Sequence, residues 1–148
     1  MSCFSSARVF ESTVVKAPAD RVWAVIRGLD MIWTGAVENS HILDGKTENC
    51  IPRVHQLTYK DGAVQKYMVT EISDANRSIT FELLEADSAT VCSTAHTIRL
   101  RRVTDDNSTF VEWITDFSLD ASSVHIEDSK FKKIEAFAAL KNVLESAD

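Results

Sequence analysis

Five side chains of types used in proton transfer are the first candidates for chemistry: Glu38, Arg53, His55, Tyr67 and His96. A histidine whose pKa is close to the working pH can remove a proton from the carbon next to a carbonyl, and a tyrosine or arginine can hold the resulting enolate oxygen. One hypothesis is therefore an isomerase, cyclase or dehydratase that acts on a carbonyl substrate without a cofactor. In this hypothesis His55 or His96 is the base, Tyr67 or Arg53 is the donor, and Glu38 orients the base.

No local motif indicates a metal or cofactor site. The four histidines lie far apart, and Cys3, Cys50 and Cys92 lack the C-x-x-C spacing of a zinc site. An odd number of cysteines is typical of reduced thiols rather than of a disulfide framework. We therefore expect no metal and no cofactor.

Composition restricts the classes of partner. The chain has 148 residues, of which 45% are hydrophobic, and a formal net charge of −6. These values predict a single globular domain over residues 1–148. The first residues contain no apolar segment typical of a secretory signal, so we expect a cytoplasmic protein, and we expect a monomer or weak homodimer. The apolar runs are too short for membrane insertion, and the acidic balance without a Lys/Arg block argues against binding to nucleic acid.

The elements that must position the candidate residues follow from hydrophobic periodicity. Residues 9–15 read as a strand, Pro18 opens a helix, and a second short helical turn follows at 29–33. From there to about residue 119 the period is two, with Asp61-Gly62 as the clearest hairpin turn. The further predicted strands are 36–43, 53–60, 64–73, 78–85, 89–103 and 109–119.

The last 25 or so residues return to a helical period. Their predicted apolar stripe consists of Ile126, Phe131, Ile134, Phe137, Ala138, Leu140 and Leu144. The fold class is therefore α+β: a curved antiparallel sheet of seven strands wrapped around a long C-terminal helix, with two short helices between the first two strands. Such a sheet leaves an interior gap, which we interpret as a ligand cavity.

Strand alternation selects the residues that face this cavity. On 109–119 the set that contains Trp113 is the more continuous apolar one, and Ile98 and Leu100 bring His96 inward on 89–103. Glu38 faces inward if Ile42 does; on the outer face it is an ordinary solvated acid. The predicted ligand-binding residues are Trp33, Glu38, His55, Leu57, Tyr67, Phe81, Leu83, Thr94, His96, Trp113, Thr115, Phe117, Phe131, Ile134, Phe137 and Ala138.

Several stretches of the chain resemble one known superfamily. They are VVKAPADRVWAVIRGLDMIW, TEISDANRSITFEL and TFVEWITDF, together with Arg53 ahead of a strand that ends in Asp61-Gly62 and the amphipathic last helix. Over residues 9–146 the chain resembles the START-like helix-grip superfamily (SRPBCC), and within it the polyketide cyclase/dehydrase-like group, which includes the plant abscisic-acid receptors. The resemblance implies a hydrophobic ligand cavity between sheet and helix. The acid-binding lysine of those receptors falls near Glu38, and their gate and latch are not matched, so we do not expect abscisic-acid reception.

Three function hypotheses follow. The first is binding of a small hydrophobic or amphipathic ligand, such as a lipid or polyketide, in the cavity. The second is the carbonyl chemistry above, on a polyketide-like substrate. The third is a protein-interaction module of the same fold, which would show a filled interior and a large exposed apolar patch.

Overall fold

The structure, a computed structural model, describes residues 7–86, 94–118 and 120–145 of the chain. Two helices, α1 (Ala19–Ile26) and α2 (Ser123–Glu145), accompany a sheet, and a 3₁₀ turn lies at Ile32–Thr34. The strands are β1 (Ala7–Val15), β2 (Val37–Ile42), β3 (Arg53–Tyr59), β4 (Val64–Ser73), β5 (Ser78–Ala86), β6 (Thr94–Val103) and β7 (Ser108–Phe117). The predicted α+β architecture and element order are thus confirmed. Residues 89–93 of the predicted sixth strand, and Cys3 and Cys92, lie outside the described residues.

The seven strands form one antiparallel sheet in the order β1-β7-β6-β5-β4-β3-β2. Each strand from β2 to β6 pairs with the next in sequence, as short turns between strands require. The predicted hairpin at Asp61-Gly62 is present: Gly62 has a φ of 92°, and its N–H donates to the Tyr59 carbonyl at 2.9 Å. The left-handed φ explains glycine at this position.

Helix α1 closes one end of the sheet. Pro18 precedes it with a φ of −63°, and Val22, Trp23 and Ile26 form its buried face. The Trp23 indole N–H donates to Asp74 Oδ1 at 2.8 Å, and Arg27 Nε donates to the same oxygen at 2.7 Å. These bonds connect the helix to the turn between β4 and β5.

A β-bulge at Glu38 changes which residues of β2 face inward. Val37 pairs with Tyr59 and Asn39 with Thr58, so Glu38 is an extra residue without a partner on β3. The bulge interrupts the alternation, so Val37 is buried while Glu38 is exposed. The predicted inward orientation of Glu38 is therefore wrong, and its other interpretation, a solvated acid, is correct.

The buried face of α2 also differs from the predicted stripe. Phe131 is 59% exposed and Ile134 48% exposed, and Ala138 is exposed as well. The residues that pack inward are Lys133, Ala136, Phe137, Leu140 and Leu144. The predicted stripe combined residues from two faces of the helix, so Phe131, Ile134 and Ala138 were wrongly assigned to the interior.

None of the described helices combines the length and apolar character that crossing a membrane requires.

Candidate functional site

A cavity of about 690 Å³ lies between the concave face of the sheet and α2. Its size is within the range of small-molecule sites, about 300 to 1,000 Å³. Aromatic side chains from β4, β5 and β7 line it, namely Tyr67, Phe81, Trp113 and Phe117. The interior of the described fold is therefore not filled by its own side chains.

The mouth of the cavity lies at one end of the sheet. Exposed residues line it from three segments: Gly35 and Ala36 after the 3₁₀ turn, Lys60 and Asp61 in the β3–β4 turn, and the first half of α2. The α2 residues at this rim include His125, Asp128, Lys132 and Glu135. The cavity is therefore open to solvent between these segments.

Aromatic contacts form one wall. His96 stacks on Phe81 with 4.8 Å between ring centroids and 8° between planes, and Tyr67 meets both rings edge-on, at 5.5 Å from Phe81 and 5.7 Å from His96. Trp113 lies 6.1 Å from His96. Such ring pairs add a favourable interaction to the burial of their area. These contacts join the four rings into one continuous wall.

His96 is a neutral hydrogen-bond donor to the cavity. The Trp113 indole N–H donates to His96 Nδ1 at 3.2 Å, and the Thr115 hydroxyl lies 2.8 Å from the same nitrogen. Because an indole nitrogen can only donate, Nδ1 accepts and the proton resides on Nε2. Burial, and secondarily the Lys133 cation, lowers the pKa of His96 from 6.5 to about 3. The ring is therefore uncharged near neutral pH and is a weak base.

Lys133 brings a cation to the wall of the cavity. Its side chain is 2% exposed, its Nζ donates to Ser129 Oγ at 2.7 Å, and Nζ lies 5.0 Å from the centroid of the Trp113 ring. Burial lowers the pKa of Lys133 from 10.5 to about 8, although Glu11 acts in the opposite direction. The amine is therefore still mostly protonated at pH 7.

Further polar atoms occur on the sheet side. The hydroxyls of Tyr59 and Tyr67 both donate to Gln65 Oε1, at 2.7 and 3.0 Å. Burial raises the pKa of both tyrosines, so they remain neutral. Thr94 Oγ1 is buried at the cavity wall and has no hydrogen-bond partner among the described residues. A buried hydroxyl without a partner indicates room for a polar group of a ligand or a water molecule.

Arg53 and His55 do not reach this cavity. Both are 1% exposed on the inner face, as the alternation of β3 predicts, but Arg53 Nε donates to His55 Nε2 at 2.8 Å. Arg53 also donates to the backbone carbonyls of Glu48 and Arg27. Burial, followed by the Arg53 charge, lowers the pKa of His55 to about 4. This pair fills the end of the sheet beside α1, away from the mouth.

Apart from His55, the predicted ligand-binding residues therefore divide into three groups. Those that line the cavity are Tyr67, Phe81, Leu83, Thr94, His96, Trp113 and Phe117. The buried residues Trp33, Leu57, Thr115 and Phe137 support the wall from behind; Trp33 and Phe137, for example, lie 6.2 and 6.3 Å from the Trp113 ring. Glu38, Phe131, Ile134 and Ala138 are at the surface, for the reasons given above.

The predicted catalytic arrangement is not assembled. His96 and Tyr67 share the cavity, but Arg53 and His55 hydrogen-bond to each other elsewhere and Glu38 faces solvent. His96, with a pKa of about 3, is too weak a base for efficient proton removal near pH 7.

Metal coordination gains no support either. Within the described ranges no group of three His, Cys, Asp or Glu side chains could hold a metal ion, and Cys50 is a free thiol.

Lys133 is the charged residue of the inner wall that the sequence prediction missed. It stands in a basic cluster with Lys130 and Lys132, a pattern typical of a solvated helix face. The spacing of Lys133 from Phe137, Leu140 and Leu144, by four, seven and eleven residues, is the signal that would have placed it on the buried stripe.

Comparison with known proteins identifies the fold and nothing finer. No family model matches the chain, and no curated protein does. A structural-genomics protein from Nitrosospira multiformis superposes with a TM-score of 0.83 at 24% identity, over 96% of this chain and 100% of the other. The protein XoxI from Bacillus cereus superposes with a TM-score of 0.79 at 21% identity, over 93% and 95% of the two chains.

A third similar structure is that of Ara h 8.0201, which has a Bet v 1-like helix-grip fold. It superposes with a TM-score of 0.76 at 13% identity, over 96% of this chain and 99% of the other. The sheet, the long C-terminal helix and these superpositions agree. The chain has the helix-grip fold.

Proposed function

We propose that the protein binds a small amphipathic molecule in the cavity between its sheet and α2. The observation that carries this proposal is the open cavity of about 690 Å³, with an aromatic wall and the buried Thr94 hydroxyl, which has no partner among the described residues. Apolar walls with a few oriented polar groups are typical of sites that bind small molecules non-covalently.

The proposed contacts follow from the lining. Phe81, Trp113 and Phe117 would bury the apolar body of the ligand, and Leu83 would extend that surface. Thr94, His96 and Tyr67 would meet its polar part. Lipids, polyketides and similar molecules all fit this description.

The other two hypotheses gain less from the structure. Catalysis by proton removal lacks a group with suitable basicity, because His96 has a pKa of about 3. The interaction-module hypothesis expects a filled interior, whereas the described interior is open. Exposed apolar residues on α2, such as Phe131 and Ile134, are present without any indication of a partner.

A dye-binding experiment tests the proposal. N-phenyl-1-naphthylamine, an uncharged fluorescent dye, should bind and brighten, and native mass spectrometry should show one dye per chain. Leu83→Trp fills the cavity and should weaken dye binding at least about tenfold, which corresponds to losing one well-buried apolar contact.

A matched control is the next residue on β5. Leu84 is exposed, so Leu84→Trp should leave the dye affinity unchanged. Equal effects of the two substitutions, or no dye binding by the folded wild-type protein, would refute cavity binding.

A further inference from the structure

The buried amine of Lys133 identifies the charge of the ligand. We propose that the molecule bound in the cavity is an anionic amphiphile whose carboxylate pairs with Lys133. This inference rests on the proposed function, since it names the chemical class of ligand for the same cavity.

The first observation is that Lys133 is a buried cation on which Glu11 acts only from beyond ion-pair distance. Within the described parts of the chain it forms no ion pair, and its one hydrogen bond is to the Ser129 hydroxyl. The adjacent Lys132, by contrast, is exposed and pairs with Asp128 at 2.9 Å. A buried charge is costly unless it is paired, and a carboxylate in the cavity would supply the missing partner.

The second observation is that buried polar groups of the cavity wall can donate hydrogen bonds. His96 presents Nε2–H, because Trp113 occupies the other ring nitrogen, and among the described residues the hydroxyl of Thr94 has no partner. Gln65 Oε1 already accepts from the hydroxyls of both tyrosines. The lining carboxylates belong to exposed residues at the mouth. A lysine ammonium has three protons and no acceptor capacity, so this set of groups favours a ligand that accepts hydrogen bonds.

The third observation is the apolar remainder of the cavity. Trp113 is a neighbour of both Lys133 and His96, and Phe81 and Phe117 extend the wall without further charge. The charged head and the apolar body of one molecule can therefore be satisfied together. A purely polar anion would leave the aromatic wall uncovered, and an uncharged amphiphile would leave Lys133 unpaired.

The pH range that reports on Lys133 is defined by its surroundings. From β6 it faces His96, which is neutral because its pKa is about 3, and from β1 it is influenced by Glu11, which raises the pKa of Lys133. The other charged or titratable groups at the mouth are Lys60 and Asp61 in the β3–β4 turn and His125, Asp128, Lys132 and Glu135 on α2. Above pH 8 Lys133 itself loses its proton, and the attraction for a carboxylate is lost with it.

The experiment compares three compounds with the same chain: dodecanoate, 1-dodecanol and dodecylammonium. Each displaces bound N-phenyl-1-naphthylamine, and the ratio of dodecanoate to dodecanol affinity cancels the contribution of the chain. Lys133→Met keeps an unbranched side chain of similar length and removes the charge. We expect it to lower the ratio at least about tenfold, since hydrogen bonds to charged groups contribute that much or more. Lys130→Met is the control, because Lys130 is exposed on the same helix and does not line the cavity.

A second measurement needs no substitution in the site. For the wild-type and Lys130→Met proteins the same ratio should fall about tenfold between pH 6.5 and pH 9, because a group with a pKa of about 8 is then about nine-tenths deprotonated. This measurement decides the matter if Lys133→Met does not fold.

The outcomes separate the two proposals. Dye binding with an affinity ratio that is independent of Lys133 and of pH, or with dodecylammonium bound as tightly as dodecanoate, overturns the anionic ligand and leaves cavity binding intact. Absence of dye binding overturns both.

Discussion

Acid should destabilise this protein in part through His96, whose ring is buried against Phe81 and Trp113. The pKa of His96 is lowered from 6.5 to about 3, first by burial and then by Lys133. The unfolded chain therefore binds a proton on this residue between those two pH values, and the folded chain does not. The contribution is fully present above pH 6.5 and is lost as the pH falls toward 3.

The magnitude follows from the two pKa values. Over the roughly 2.5 pH units between 6.5 and 4, His96 is protonated in the unfolded chain but mostly uncharged in the folded chain. This difference should lower the free energy of unfolding by about 3 kcal/mol between pH 7 and pH 4. His55, with a pKa of about 4, should add a loss of similar size over the same range. Total stabilities of single domains are only about 5 to 15 kcal/mol, so both effects should be measurable.

Urea unfolding at pH 7, 5 and 4 checks this, with fluorescence of the buried tryptophans Trp23, Trp33 and Trp113 as the signal. His96→Gln should lose about 3 kcal/mol less than the wild type between pH 7 and pH 4, whatever its stability at pH 7. His41→Gln is the control, because His41 is exposed on β2. If His96→Gln and the wild type lose the same free energy of unfolding on acidification, then the ring is not neutral and buried in the way we describe.

Two further predictions test the packing. Leu140→Ala, on the buried face of α2, should lower the free energy of unfolding in urea by roughly 2 to 5 kcal/mol. Ile134→Ala, on the exposed face of α2, should change it by less than about 0.5 kcal/mol. Comparable losses for the two variants would contradict the orientation of the helix. Asp74→Ala should lower the urea midpoint more than Asp116→Ala, because Asp74 also accepts the indole N–H of Trp23 whereas Asp116 only joins an exposed ion pair. The reverse order would show that the indole bond contributes nothing.

Sequence periodicity was sufficient for the architecture because strand and helix periods differ clearly and the turns have characteristic residues. Gly62, for example, has a left-handed φ that glycine adopts readily, and so it indicated the hairpin turn in the sequence. On β7 the residues that alternate with Trp113 are buried as expected. Glu38 was misplaced because a bulge adds one residue to a strand without changing its composition.

The site was less accessible to sequence reasoning, for two physical reasons. Alternation gives the face of a strand on which a residue lies but not whether that part of the face is filled or open, and so His55 and His96 could not be distinguished. On α2 apolar residues occupy two faces. Because Phe131 and Ile134 are apolar but exposed, the sequence pattern did not indicate that Lys133 lies on the buried face. Only packing against Trp113 resolves the phase of the helix.

The hydrogen bonds of Arg53 have a consequence for ligand exchange. They join the end of α1 to the start of β3. The mouth lies beyond the other end of β3, and six residues of extended chain separate the two ends by about 20 Å. A ligand would therefore pass in and out beside Lys60 and Asp61, on the same path in both directions. The end held by Arg53 would then be the closed floor of the cavity.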